Sequence, residues 1–157
     1  MSKKAARYEL LKQQAQALLN NESDLVANMS NLVSLVFNEL PQLNGTTFYR
    51  LIDGELLLGP FQGKPACMHI AVGKGVCGKV AATKKAEIVP NVHEFQGHIA
   101  CDSASKSEVV VPIFKGEQFW GVLDLDSPEY DTFDEVDAKY LAEIGPLIFG
   151  EKAESGE

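Results

Sequence analysis

Two hairpin signals constrain the fold of this chain more than any other feature of its sequence. Thr46–Ile52 is rich in β-branched and aromatic residues, and an Asp-Gly turn separates it from a second extended apolar run, Glu55–Leu58. The arrangement recurs downstream, where a Lys-Gly turn joins Glu108–Phe114 to Glu117–Leu125. Strands that are joined by such short turns run antiparallel. The sequence therefore predicts an antiparallel sheet, with the second hairpin at its centre.

Helical periodicity surrounds the hairpins at both ends of the chain. Apolar residues recur at helical spacing over Lys3–Leu19, and a second helix is predicted to end before Pro41. A last helix is predicted over Asp134–Phe149, with a bend at Gly145-Pro146. Helices at the ends and hairpins between them are typical of the α+β class.

Composition limits the number of domains in the chain and the kinds of partner that it can bind. Its 157 residues, 45% hydrophobic and 23% charged, are enough for one folded domain, which we expect over residues 1–151 with a flexible tail over residues 152–157. No apolar run approaches the ~20 residues that span a bilayer, and the N-terminus lacks the apolar core of a secretory signal. We therefore expect a cytoplasmic protein that does not associate with membranes. The net charge of −8 opposes nucleic acid binding.

Three cysteines, Cys67, Cys77 and Cys101, lie in loop-like stretches that also carry glycine. An odd number cannot all pair within one chain, and a reducing cytosol disfavours permanent disulfides, so we expect free thiols at rest. Each is either a small buried hydrophobic residue or a nucleophile in a functional loop. Because the chain has no Cys-x-x-Cys pair and no helical histidine spacing, no metal site is predicted.

Residues 73–78 read Gly-Lys-Gly-Val-Cys-Gly and match the Gly-x-Gly-x-x-Gly pattern of dinucleotide-binding folds. Such a fold needs a parallel βαβ unit, whereas this chain is dominated by hairpins. Tight turns and close backbone approach explain these glycines more simply. No bound cofactor is therefore predicted.

An aspartate pair on a predicted strand is the other candidate for chemistry. Residues two apart on a strand share a face, so Trp120, Val122, Asp124 and Asp126 are predicted to point the same way, with the two carboxylates ~6 to 7 Å apart. Glu108, at the start of the partner strand, can join them across the hairpin. Either this face meets solvent, or it lines a cavity where the carboxylates bind an ammonium group or one of them holds a proton at a raised pKa.

Four segments together resemble the free methionine-(R)-sulfoxide reductases, which use a GAF-type domain. They are residues 58–67, 73–78, 98–108 and 121–127, and the spacing of the three cysteines matches as well. The resemblance covers nearly the whole chain. It implies a six-stranded antiparallel GAF sheet flanked by N-terminal and C-terminal helices, and a homodimer.

The same resemblance implies roles for individual residues. Cys101 matches the nucleophile, Cys67 the usual resolving cysteine, and Cys77 an auxiliary thiol. The implied substrate contacts are Glu108, Asp124 and Asp126, with Tyr49 at the pocket for the substrate methyl group. One departure stands out: Gly45 replaces a tryptophan whose indole forms part of that pocket in the family. Either Phe48, Tyr49 or a shifted loop fills the gap, or the pocket is looser and the affinity for substrate weaker.

Two functions are therefore carried forward. In the first, Cys101 reduces free methionine-(R)-sulfoxide, becomes a sulfenic acid, and forms a disulfide with Cys67 or Cys77 that a thioredoxin-type dithiol protein reopens. A protonated carboxyl group assists by giving a proton to the departing oxygen. In the second, the chain is a GAF module that binds a small ligand or senses redox state without catalysis.

Overall fold

The computed structural model describes residues 1–99 and 104–150. It has the predicted α+β architecture, in which helices pack on a six-stranded antiparallel sheet. The α-helices are α1 (Lys3–Leu18), α2 (Leu25–Glu39), α3 (Gly75–Thr83) and α4 (Glu135–Ile144), and the strands are β1 (Gly45–Ile52), β2 (Glu55–Gly63), β3 (His69–Ala71), β4 (Glu87–Val89), β5 (Ser107–Lys115) and β6 (Gln118–Ser127). Short 3-10 helices cover Val92–Glu94 and Gly145–Phe149.

The strand order is β3-β2-β1-β6-β5-β4. Both predicted hairpins form, as β1-β2 and β5-β6, and they join through antiparallel pairing of β1 with β6. The prediction that the second hairpin forms the sheet centre is right for β6 only, because β1 occupies the other central position. A strand's place in a sheet depends on pairing between distant segments, which local periodicity does not encode.

The two faces of the sheet carry separate cores. One face packs against α1, α2 and α4, and its apolar residues include Phe48 of β1 together with Leu123 and Leu125 of β6. The opposite face packs against α3 and includes Tyr49 of β1 and Val122 of β6. Side chains therefore alternate between a helix-covered core and a second, smaller face that α3 covers in part.

The alternation breaks near the start of β6. Ile113 pairs with Gly121 and Phe114 with Phe119, so Trp120 has no partner on β5 and forms a β-bulge. The bulge turns Trp120 onto the helix-covered face, where its ring meets Phe149 edge-on at 5.3 Å. The prediction that Trp120 shares a face with Asp124 and Asp126 is wrong for this reason, although Val122 does share it.

The C-terminal region also differs from the predicted single helix. The α-helix ends at Ile144, and a 3-10 helix continues over Gly145–Phe149, so Gly145-Pro146 marks a change of helix type. The predicted tail, residues 152–157, lies outside the described residues, and that domain boundary stays a prediction. None of the helices in the described ranges combines the length and apolar character needed to cross a bilayer.

Candidate active site

A cavity lies over the second face of the sheet, beneath the N-terminal end of α3. Strands β1, β5 and β6 form its floor, and its walls come from α3, from residues 64–66, and from His98, Ile99 and Ser105. It encloses about 630 Å³, including the solvent at its mouth. Among the described residues that line it are Gly45, Tyr49, Cys77, His98, Glu108, Asp124 and Asp126. The acidic face predicted from the sequence thus lines a cavity and does not lie on an open surface.

Strand register brings the three carboxyl groups together. Glu108 of β5 pairs directly with Asp126 of β6, and Asp124 lies two residues before Asp126 on the same face. Glu108 and Asp124 are only 6% and 7% exposed, whereas Asp126 is half-buried. Three acidic groups are therefore concentrated in one partly closed space.

Burial changes the protonation of this cluster. Loss of solvent, followed by the nearby carboxylates of Asp124 and Asp126, raises the pKa of Glu108 well above its ordinary range. Burial also raises the pKa of Asp124, against the opposing effect of hydrogen bonds that involve Glu108, Cys77 and Asp126. Two adjacent buried carboxylates repel each other, so ionising both costs more free energy than ionising one. The Glu108–Asp124 pair therefore retains a proton more readily than isolated carboxyl groups would.

Cys77 lies in the first turn of α3, directly against the acids. Its side chain is 4% exposed, and it is a free thiol. Burial and the charges of Asp124 and Glu108 raise the pKa of this thiol well above its ordinary value. Since the thiolate is the reactive form of cysteine, this environment makes Cys77 a poor nucleophile.

Two glycines shape the turn that brings α3 to the cavity. Gly73 has a φ of +92°, which L-amino acids with a side chain rarely adopt. A Cβ atom on Gly78 would lie 2.5 Å from the carbonyl oxygen of Ala71 and 3.1 Å from the backbone of Gly73. The glycines of the Gly-x-Gly-x-x-Gly match thus serve a tight turn and a close backbone approach, as predicted.

A side chain of β1 helps to hold the loop that carries Cys67. The hydroxyl group of Tyr49, a buried residue of β1, donates a 2.9 Å hydrogen bond to the backbone carbonyl of Cys67. Burial, then the charge of Asp124, raises the pKa of Tyr49, so its hydroxyl stays neutral and remains a donor. Cys67 is half-buried and disulfide-bonded, so the expectation of free thiols at rest fails for Cys67 and holds for Cys77.

Cys101, the predicted nucleophile, lies outside the described residues. The described residues on either side of that gap reach the cavity: His98 and Ile99 precede it, and Ser105 follows it, and all three line the cavity wall. The described residues on both sides of Cys101 therefore lie at the cavity.

His98 is a cavity residue that sequence reasoning did not single out. Its Nε2 atom lies 3.9 Å from a carboxylate oxygen of Glu108. Burial, and then the proximity of His93, lowers the pKa of His98. The His98 ring therefore loses its charge more readily than an exposed histidine does.

The other histidines lie elsewhere. His69 pairs with Glu55 at 2.6 Å on the exposed β2-β3 edge, and the ring of His93 meets that of Tyr130. Lys64 and Lys74 also reach the cavity, at its rim. His98, Lys64 and Lys74 reach the cavity from irregular segments of the chain. Such segments have no helical or strand periodicity from which the position of a side chain could be predicted.

Gly45, which stands where the family has a tryptophan, lies in the cavity wall beside the acids. A Cβ atom at this position would lie 3.5 Å from Oδ2 of Asp126. Of the residues expected to fill the space, Tyr49 lines the cavity, whereas Phe48 is fully buried on the opposite face of the sheet. Phe48 therefore does not compensate for the missing indole.

Comparison with known proteins gives consistent results at the level of family, sequence and structure. Residues 26–148 match the family model of the GAF domain. The chain is 42% identical over 137 residues to the free methionine-R-sulfoxide reductase of Escherichia coli (strain K12), which covers 87% of this chain and 83% of that protein.

Two solved structures show the same architecture. The X-ray structure of free methionine-R-sulfoxide reductase from Neisseria meningitidis in complex with its substrate superposes with a TM-score of 0.90 at 37% identity, covering 100% of this chain and 96% of that one. The structure of fRMsr of Staphylococcus aureus in complex with substrate gives a TM-score of 0.85 at 46% identity, covering 91% and 95%.

Proposed function

Because the chain belongs to the GAF-domain family of free methionine-R-sulfoxide reductases, which are oxidoreductases, we propose that it reduces free L-methionine-(R)-sulfoxide to L-methionine. The observation that carries this proposal is the cavity over β1, β5 and β6. Its lining includes three carboxyl groups, residues 98, 99 and 105 on either side of the undescribed segment that contains Cys101, and Tyr49, which bonds to the loop of Cys67. Acids and sulfur in one enclosed space are what thiol-dependent reduction of a small cationic substrate requires.

Charge accounts for the preference for a free amino acid. The α-ammonium group of free methionine sulfoxide is positive at neutral pH, and the cluster of Glu108, Asp124 and Asp126 concentrates negative charge at the cavity floor. A methionine sulfoxide residue inside a peptide has no ammonium group there. Its flanking chain would also have to fit in a cavity that α3 and two loops close around. The carboxyl groups therefore select the free amino acid.

Cys101 is the proposed nucleophile. Its thiolate attacks the sulfoxide, the sulfur–oxygen bond of the substrate breaks, and the oxygen ends on Cys101 as a sulfenic acid while methionine leaves. The sulfoxide gains two electrons, and the cysteine loses them. Support comes from the positions of His98, Ile99 and Ser105, which line the cavity on both sides of the gap in the described chain.

The sulfoxide oxygen needs a proton in order to leave, and we assign this proton to the Glu108–Asp124 pair. The pKa values of both groups are raised by burial, so the pair can carry a proton at a pH where exposed carboxyl groups are ionised. Asp126, which is half-buried, is left to bind the ammonium group. This division of roles among neighbouring acids follows from their different exposure to solvent.

Cys67 is the proposed resolving cysteine. Cys77 is a weak candidate because its thiol is buried and its pKa is raised. Cys67 is half-buried on a loop and is already disulfide-bonded in this structure. Attack of the Cys67 thiolate on the sulfenic acid releases water and leaves a disulfide, which an external thioredoxin-type dithiol reduces with two electrons and two protons. The cytoplasmic location and the homodimer also remain predictions.

Release of methionine in the presence of a small dithiol tests the proposal. The wild-type protein should convert free methionine-(R)-sulfoxide with repeated turnover, and Cys101→Ser should convert none. Cys67→Ser should still release one methionine per chain before any reductant is added, because the first step does not need the resolving cysteine. Full activity in Cys101→Ser would refute the nucleophile. Binding of the sulfoxide by the wild-type protein without methionine release would favour the ligand-binding module instead.

A further inference from the structure

A thiol to which the proposed reaction gives no role, that of Cys77, lies with two carboxyl groups at the cavity floor and forms a set of ligand atoms with them. The Cys77 sulfur and one carboxylate oxygen each from Glu108 and Asp124 lie within 4.8 Å of one another, and all three residues are buried. We propose that these three side chains bind a thiophilic divalent cation of the Zn²⁺ class. The ion binding itself does not depend on the proposed reductase activity.

An unsatisfied oxygen points to a ligand at this position. Oδ1 of Asp124 is buried and has no hydrogen-bond partner among the described residues, although the residue is only 7% exposed. A buried carboxylate oxygen without a partner costs free energy, and a bound cation would remove that cost. Asp124 lines the cavity, so a small rotation of its carboxyl group would be enough to present this oxygen to an ion there.

The ligand types select the class of ion. Zinc binds cysteine sulfur at about 2.3 Å and carboxylate oxygen at about 2.0 to 2.2 Å, so tetrahedral ligand atoms stand about 3.4 to 3.6 Å apart. Side-chain movements of about 1 Å would bring Cys77, Glu108 and Asp124 to this spacing from separations of up to 4.8 Å. Magnesium and calcium prefer sets made only of oxygen, which excludes a site built on the Cys77 sulfur.

Three protein ligands would leave the fourth position of a tetrahedral zinc site for water or another small ligand. His98 lies next to this set of ligands, with its Nε2 atom 3.9 Å from Glu108. If the chain has the proposed activity, the cation and the substrate ammonium group would compete for the same carboxylates. This consequence, unlike the binding itself, rests on the proposed function.

Titration of the reduced full-length protein tests the site without an activity assay. The probes are Zn²⁺, competed against a chromophoric chelator, and Co²⁺, whose thiolate complex absorbs in the near ultraviolet. We expect one ion per chain in the wild-type protein. Cys77→Ser should lose the cobalt–thiolate band and weaken Zn²⁺ binding at least about tenfold, since even outer-shell changes cost that much. Asp124→Asn should weaken binding and keep the band.

Matched cysteine variants decide which sulfur holds the ion. Cys67→Ser is the control, because Cys67 is not among the three ligands, and it should keep both the band and the affinity. The proposal would be overturned if Cys77→Ser kept the cobalt–thiolate band, or if Cys101→Ser were the one variant that lost it. Far-ultraviolet circular dichroism and thermal unfolding of each variant distinguish a lost ligand from a lost fold. Glu108→Gln is the second ligand variant if Cys77→Ser does not fold.

Discussion

The hydroxyl group of Tyr49 donates a 2.9 Å hydrogen bond to the backbone carbonyl of Cys67. This bond fixes the loop after β2 against the central strand β1, eighteen residues away in sequence. A buried side chain thus sets the position of the proposed resolving cysteine.

Tyr49→Phe should remove this attachment and keep the ring in place. A lost buried hydrogen bond costs about 1 kcal/mol, so the free energy of unfolding should fall by about that amount. In the proposed reaction, the first release of methionine should remain, while disulfide formation should slow because Cys67 is held less firmly. Denaturant unfolding and single-turnover kinetics measure the two effects.

Tyr130→Phe is the matched control, since Tyr130 is 50% exposed and lies outside the cavity lining. Its unfolding free energy should change by less than about 0.5 kcal/mol. An unchanged rate of disulfide formation in Tyr49→Phe would contradict the role given to the bond.

Glu108→Gln should stabilise the fold while it weakens substrate binding. Burial raises the pKa of Glu108 in the folded state above its value in the unfolded chain. Between those two values the folded state holds a proton that the unfolded state has lost, so the wild-type protein loses stability as pH rises through this window. Glutamine carries a neutral amide that does not ionise, so the variant does not lose stability in this window.

Thermal unfolding at pH 5 and pH 8 provides the measurement. The melting temperature of Glu108→Gln relative to the wild-type protein should increase as pH rises. Its KM should be higher and its kcat lower, because the amide cannot supply the proton assigned to the Glu108–Asp124 pair. Glu117→Gln, at an exposed turn position, should follow the wild-type pH dependence. A difference that shrinks with rising pH would show that the sign assigned to Glu108 is wrong.

Gly45→Trp should improve substrate binding. The added side chain would start 3.5 Å from Asp126 Oδ2, beside the cavity, whose described lining contains Tyr49 but no other tyrosine, phenylalanine or tryptophan. An aromatic contact with the substrate methyl group is worth about 0.5 to 1.5 kcal/mol, which corresponds to a KM roughly two- to tenfold lower. Steady-state kinetics on the free sulfoxide measure this change.

Gly45→Ala separates the aromatic contribution from simple loss of glycine, and its KM should stay near the wild-type value. If the tryptophan variant has a higher KM than the alanine variant, the space beside Gly45 does not serve as the methyl pocket.

Gly121→Ala should destabilise the protein severely. A Cβ atom there would overlap the carbonyl oxygen of Tyr49 and lie 3.1 Å from Cα of Arg50, and both are backbone atoms of the neighbouring strand. Backbone atoms cannot rotate away as a side chain can, so we expect the free energy of unfolding to fall by about 3 kcal/mol or more. Gly45→Ala, also at a β1–β6 pair, meets only ordinary contacts and should cost far less in the same urea titration.

Local sequence pattern was sufficient to predict the helices, the two hairpins and part of the candidate site. Strand alternation placed Asp124 and Asp126 on one face, and hairpin register brought Glu108 directly opposite Asp126. Strand alternation failed at Trp120, because Trp120 is itself the extra residue of a bulge in β6 and its side chain lies on the opposite face. Bulges depend on pairing geometry, which has no fixed local signature.

The sequence by itself determined the α+β class, the two hairpins and the resemblance to a reductase family, since turn residues and periodicity are local properties. Only the tertiary structure decided that the acidic face lines a cavity, that Cys77 is buried against it, and that His98 reaches Glu108. These relationships join segments far apart in the chain. Burial and electrostatics between them depend on three-dimensional packing, and the protonation of the site follows from that packing.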